Sequence, residues 1–249
     1  MKLEDIRSVG IMGGGVMGGG IGQTLALNGY KAIIRDLNDE ILARTRSVIE
    51  DGRFGLKQGV ERGKVSQQQL EQALSNLSYT TKVEDLKDCD LIIEAIPENL
   101  DLKKEVWAKL DKLVKKEAIF ATNTSGFCIQ DMSQAVARKE LFIGMHWFSP
   151  ANIMRLVEII CTPQNSEGLI LLMEELCHKL GKETIRVKDT PGTYGFVANR
   201  IFGTAAREAR KILEEGITSE DDINKAMVLG YNWPAGPLAL GRGVRAGWA

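Results

Sequence analysis

The chain has 249 residues, enough to bury a sizeable core in one large domain or in a moderate domain with a small partner. With 44% hydrophobic residues, 26% charged residues and a formal net charge of −1, its composition is that of a soluble globular protein. The near-neutral balance argues against a nucleic-acid surface or a polybasic membrane patch, and no run approaches the roughly 18–20 apolar residues of a membrane span. The four cysteines, Cys89, Cys128, Cys161 and Cys177, show no CxxC pairing, so reduced thiols and no metal site are expected.

Residues 8–12 (SVGIM) form a short apolar run ending in glycines, the pattern of a buried strand. Small and apolar residues at helical spacing follow over 16–29, with Gly29 as the stop, and 31–35 (KAIIR) make a second strand closed by Asp36. Strand, glycine turn, helix and strand in so short a stretch is a βαβ unit, which implies a parallel sheet. Residues 39–76 are polar with a helical period and read as a helical pair turning near Gly63. Strand-like runs recur at 90–97 (DLIIEAIP) and 118–125 (AIFATNTS), separated by a charged helix at 100–116. Further strands are expected at 141–146 and 156–160, then a helix at 166–180 stopped by Gly181 and a strand at 183–187. Pro191, Gly192 and Gly195 mark a linker in KDTPGTYG. Two helices follow, at 196–215 and 219–229, the second started by Thr218 or Ser219 with acidic residues in its first turn.

Gly13, Gly15 and Gly18 spell G-x-G-x-x-G between the first strand and the first helix. The first glycine permits the tight turn, the second lets backbone approach a pyrophosphate, and the third lets helix and strand close on each other. Val16 and Met17 complete this turn at a helix N-terminus, where free N–H groups and a partial positive charge favour phosphate. Asp36 stands eighteen positions past Gly18, at the end of the second strand, placed to accept ribose hydroxyls of NAD and to repel the extra phosphate of NADP. Arg35 beside it leaves the strictness of that preference open, and the bland alternative is a glycine-rich turn with a surface Asp. The expected fold is α/β: a Rossmann-type, doubly wound, mostly parallel sheet over 1–190 as an NAD-binding domain, with a partial all-helical domain over 191–249.

Of two histidines, His178 lies in a helix beside Lys179 and reads as solvated. His146 ends an apolar strand in GMHWFSP, at the sheet edge where α/β proteins keep reactive groups. A packed core histidine is the alternative. Glu158 tips the balance, because a carboxylate inside LVEII is costly to bury without a partner. An imidazole is the natural one, and alcohol oxidation by hydride transfer needs a base for the hydroxyl proton.

His146 in HWFSP, with Glu158 twelve residues on in IMRLVEII, resembles the signature of the L-3-hydroxyacyl-CoA and 3-hydroxybutyryl-CoA dehydrogenase family. GGGVMGGGIGQ, DLIIEAIPENLDLKKEV, ATNTS, DTPG…FVANR and GYNWPAGPLAL match in the same order, over nearly the whole chain. The resemblance implies hydride transfer between NAD(H) and the 3-hydroxy/3-oxo position of a short- to medium-chain acyl-CoA. It implies His146 as acid/base with Glu158 orienting it, Ser125 on the reacting oxygen, and Asn199 holding the acyl group. Glu98, Lys103 and Asn123 would line the nicotinamide side. The lesser alternatives are Ser125 as a helix cap and Asn199 as an exposed helix residue.

Three departures stand out. Ser149 replaces the asparagine usual before the proline of the histidine motif, where a hydroxyl can still donate to the nicotinamide side. Thr193, Tyr194 and Gly195 read as a short insertion before FVANR, which bears on the placement of Asn199. After Leu240 the family pattern gives way to GRGVRAGWA, so the C-terminal domain reads as shortened, by a frameshift, an early stop or natural variation. The expectation is a cytoplasmic protein and a family-type homodimer, weakened by that shorter end. Two other readings stay open: an NAD-binding but poorly active member, and a relative acting on non-CoA hydroxy acids. Arg53, Lys57, Arg62 and Lys64 are either CoA-phosphate contacts or a solvated helical face.

Overall fold

A computed structural model describes residues 1–240, and the chain divides after Tyr194 into two compact units. The departure from family pattern beyond Leu240 lies outside the described residues. The first unit is built on eight strands: β1 Ser8–Met12, β2 Lys31–Arg35, β3 Leu77–Thr80, β4 Leu91–Glu94, β5 Ile119–Thr122, β6 Phe142–Trp147, β7 Leu156–Cys161 and β8 Glu183–Lys188. Seven helices accompany them: α1 Val16–Leu27, α2 Asp39–Asp51, α3 Leu56–Glu61, α4 Gln67–Asn76, α5 Leu100–Leu113, α6 Ile129–Ser133 and α7 Glu167–Lys179. The second unit holds α8 Val197–Glu214 and α9 Glu220–Tyr231.

The sheet order is β3-β2-β1-β4-β5-β6-β7-β8. Its first six strands are parallel, in the 3-2-1-4-5-6 order of dinucleotide-binding sheets. β7 runs antiparallel to β6, and β8 returns parallel to β7. Every residue of β4, β5 and β6 is buried, as a sheet covered on both faces requires. The order reverses between β1 and β4, so their carboxyl ends open the crevice where ligands of such sheets bind.

Several boundaries differ from the periodicity alone. The 39–76 stretch is three helices, because Gly52 leaves helical geometry at the end of α2 and Gly55 caps α3. The turn at Gly63 is present, with φ +67°. β3 goes unseen in the sequence because LSYT is a short edge strand directly after a helix. α6 is one turn and a half, too short for a hydrophobic period to register. Gly29 (φ +86°) ends α1 and Gly181 (φ +73°) ends α7, as their left-handed conformations demand glycine. Ser219, not Thr218, caps α9, its side chain accepting from the Asp222 N–H. Among the described residues no helix is long and apolar enough to cross a membrane, and no cluster of His, Cys, Asp and Glu could hold a metal.

Candidate active site

The glycine turn joins β1 to α1. Gly13 has φ +106°, and a Cβ there would lie 2.6 Å from the Ala95 carbonyl oxygen. A Cβ on Gly18 would fall 1.8 Å from the Gly13 carbonyl oxygen, so helix and turn are in contact as only glycine allows. Gly15 is the opposite case: a Cβ would meet nothing within 4 Å. It is exposed, as is Val16, and Met17 is half-buried, so the N-terminus of α1 opens outward with no side-chain cap. These are the features a pyrophosphate needs: an open cradle, uncapped N–H donors and the positive end of a helix. The residues present therefore fit a dinucleotide.

Asp36 directly follows β2, beside this turn. Its carboxylate accepts from the Gly14 N–H (2.5 Å) and the Leu37 N–H (2.6 Å). Thr45 of α2 donates to the Gly14 carbonyl at 2.5 Å, so the middle of the turn is gripped from both sides. Arg35 donates from Nε to the Thr81 carbonyl (3.3 Å), which turns its guanidinium along the end of β3.

A charged network joins the carboxyl ends of β4 and β5. Glu94 and Lys103 are wholly buried, with Nζ 2.5 Å from Oε1. Thr122 donates to the other Glu94 oxygen at 2.7 Å. Lys103 also reaches the Ile96 carbonyl (3.2 Å) and Glu98 Oε2 (3.3 Å). Glu98 in turn accepts from the Ser125 N–H (2.9 Å), the Thr124 hydroxyl (2.5 Å) and the Tyr194 hydroxyl (3.3 Å). One buried ammonium thus fixes two carboxylates, and the outer one fixes the segment carrying Ser125. Asn123 accepts from the Trp147 N–H at 2.8 Å, tying the end of β5 to the residue after His146.

His146 and Glu158 are directly opposed in the β6–β7 register. An antiparallel pair puts opposed residues on the same face with their Cβ atoms about 5 Å apart. The twelve-residue spacing in sequence therefore becomes a cross-strand contact, His146 Nδ1 to Glu158 Oε2 at 2.8 Å. His146 is 3% exposed and Glu158 fully buried, and the Phe148 ring lies 4.6 Å from the imidazole. With Nδ1–H donated to the carboxylate, the lone pair of a neutral ring resides on Nε2.

The sequence-predicted residues fall in four places. Gly13, Gly15, Val16, Met17, Gly18 and Asp36 share the β1–β2 edge. Glu98, Lys103, Asn123 and Ser125 are joined at the ends of β4 and β5. His146 and Glu158 pair on β6 and β7, and Ser149 is exposed in the loop that follows β6. Asn199 is exposed on α8, in the second unit. Lys57 is held by Asp51 (2.8 Å) and Glu50 (3.7 Å), whereas Arg53, Arg62 and Lys64 are exposed with no ion pair among the described residues. Sequence reasoning missed Glu94, although LIIE carries the signal that singled out Glu158 in LVEII. It also missed Asp189, which caps α6 by accepting from the Ile129 (3.2 Å) and Gln130 (2.8 Å) N–H groups.

Residues 8–190 match the family described as "3-hydroxyacyl-CoA dehydrogenase, NAD binding domain", and residues 195–249 match its C-terminal domain. The chain is 38% identical over 238 residues to the mitochondrial hydroxyacyl-coenzyme A dehydrogenase of Rattus norvegicus, covering 94% of this chain and 75% of that protein. It is 37% identical over 231 residues to the 3-hydroxybutyryl-CoA dehydrogenase of Clostridioides difficile, covering 93% and 80%. The crystal structure of (S)-3-hydroxybutyryl-CoA dehydrogenase from Ralstonia eutropha superposes with a TM-score of 0.85 at 38% identity, covering 94% of this chain and 81% of that one. The chain therefore belongs to the 3-hydroxyacyl-CoA dehydrogenase family and is an NAD-dependent oxidoreductase.

Proposed function

We propose that the chain interconverts (S)-3-hydroxyacyl-CoA and 3-oxoacyl-CoA, with His146 as the acid/base and Glu158 as its orienting partner. NAD⁺, when bound, supplies the hydride acceptor. In oxidation the hydride leaves C3 and the hydroxyl proton passes to His146 Nε2, so one hydride and one proton balance the new carbonyl. Glu158 holds Nδ1–H, fixes the ring orientation and offsets the charge of the imidazolium. In reduction the same proton returns to the carbonyl oxygen. The observation that carries this reading is the buried 2.8 Å contact between His146 and Glu158 at one register position.

Ser125 serves as a donor to the reacting oxygen, its backbone already held by Glu98. Asn199 steadies the acyl group. Glu98, Lys103, Asn123 and Ser149 serve the nicotinamide half, and Gly13, Gly15, Val16, Met17, Gly18 and Asp36 the adenosine and pyrophosphate half. Exposed Arg53, Arg62 and Lys64 are the cations left to meet CoA phosphates, since Lys57 is already paired. Short- to medium-chain acyl-CoA is the substrate class, after the relatives named for 3-hydroxybutyryl-CoA. The 1–190 and 191–249 division remains the functional one, a nucleotide domain and a substrate and dimer domain. Exposed Val197 and Ile201 on α8 favour a homodimer through these helices. The cytoplasm is the proposed compartment. The test is NADH consumption with acetoacetyl-CoA: turnover in the parent and none in His146→Ala, with NADH binding retained, supports the assignment. Undiminished turnover in that variant would remove it.

A further inference from the structure

Lys182 is a buried cation that the proposed chemistry does not use. It follows α7, just past Gly181, and is 5% exposed. Among the described residues no carboxylate pairs with it. Its Nζ donates to the Ala151 carbonyl at 2.7 Å and the Met154 carbonyl at 2.8 Å, and lies 5.5 Å from the centre of the Trp147 ring. Both carbonyls belong to the loop 148–155, which connects the strand of His146 to the strand of Glu158.

The other side of that loop rests on α1. A Cβ on Gly20 would sit 3.2 Å from the Ala151 Cβ and 3.3 Å from the Asn152 N, so helix and loop are close. Asn152 donates to Gln23 Oε1 (3.1 Å) and, with Gln23, to the Phe54 carbonyl (2.8 and 2.9 Å). The loop is thus clamped between one buried ammonium and the helix whose N-terminus faces the dinucleotide. Leaving a charge buried without a counter-ion is expensive, and such a cost in a well-formed fold calls for a compensating role.

We propose that Lys182 is a positioning residue for hydride transfer: its ammonium clamps the 148–155 loop and thereby registers the His146–Glu158 hairpin against the nucleotide helix. The proposal rests on the acid/base reading of that hairpin. Burial pulls the Lys182 pKa down to about 8, with the Cys177 thiol of α7 acting the other way. The titratable side chains that flank it in sequence are engaged elsewhere: Glu183 with Arg155 at the surface, Lys179 over the Tyr30 ring, and His178 beside Thr184. Above its pKa the amine still has two N–H groups but loses the charge that strengthens both bonds.

The test compares the parent with Lys182→Met, Lys182→Arg and Asn152→Ala. It measures NADH affinity by fluorescence, thermal midpoint, and kcat and KM for NAD⁺-dependent oxidation of (S)-3-hydroxybutyryl-CoA, the direction in which His146 acts as base and causes no alkaline fall of its own, from about pH 6.5 to 9.5. Lys182→Met is expected to lower kcat about tenfold or more, since small misplacements of reacting groups are costly, and to weaken NADH binding. The parent's kcat should fall as pH rises through about 8. Lys182→Arg, charged throughout, should keep neutral kcat and lose that fall. Asn152→Ala, which frees the loop at its other end, should weaken NADH binding and keep the alkaline fall. A Lys182→Met protein that only melts earlier, with kcat, NADH affinity and pH profile intact, overturns the proposal. An alkaline fall that survives in Lys182→Arg does so too. Should Lys182→Met not fold, the arginine and Asn152 variants decide. A parent without turnover whose NADH affinity still responds to Lys182 and Asn152 would discard the acyl-CoA reading and keep the clamp.

Discussion

At the scale of single residues, three of the site's carboxylates lie in different surroundings. Glu158 is buried against an imidazole, Glu94 is buried against an ammonium, and Asp36 is half-buried over backbone N–H groups. Positioned proton transfer contributes about a hundredfold to ten-thousandfold, so His146→Gln should lower kcat by that order while NADH affinity stays put. Stopped-flow turnover with a parallel fluorescence titration checks this. Asp36→Ala removes charged acceptors worth about 1.5–3 kcal/mol each, so NAD affinity should fall about tenfold to a hundredfold. Its preference over NADP should shrink as the repelling charge goes, as paired titrations with the two cofactors would reveal. The sequence announces all three carboxylates in one way, as an acid at the end of or within an apolar run. It named the partner only for Glu158, because with two histidines in the chain the search for an imidazole was short.

At the scale of elements, Lys103 is the bolt between α5 and the sheet. Removing one member of a buried ion pair leaves the other charge uncompensated, at about 3–5 kcal/mol. Lys103→Met should therefore shift the urea midpoint sharply, and a small shift would mean that Glu94 finds another partner. A similar argument at smaller magnitude applies to α7, whose N-cap Ser166 accepts from the Leu169 N–H. Ser166→Ala should cost about 1 kcal/mol with kcat unchanged. Strands, helices and their glycine stops were largely legible because period and cap chemistry act over a few residues. β3 and α6 were not, since each is shorter than the window in which a period can be read.

At the scale of the whole molecule, alkaline pH sets opposing demands on stability. Burial pushes the Cys89 and Cys177 thiols up to about 12 from an ordinary value of 9.0, so the unfolded chain releases these protons first. Their contribution to stability is present below pH 9.0 and lost as pH rises toward 12. Lys182 works the other way, since its lowered pKa makes folding less costly between about 8 and 10.5. Two thiols outweigh one lysine above pH 9, so the melting temperature should fall there, and less steeply in Cys177→Ala; a flat profile would contradict this. By itself the sequence determined the βαβ nucleotide unit, the glycine turn with Asp36, and the need for a partner at Glu158. Those are local patterns, or demands that one buried charge makes wherever it lies. Only the tertiary structure decided that β7 runs against β6 and sets Glu158 opposite His146, that Lys103 joins Glu94 to Glu98, and that Lys182 holds the loop between β6 and β7. Strand order and direction create these contacts between residues far apart in sequence, and no local period encodes either.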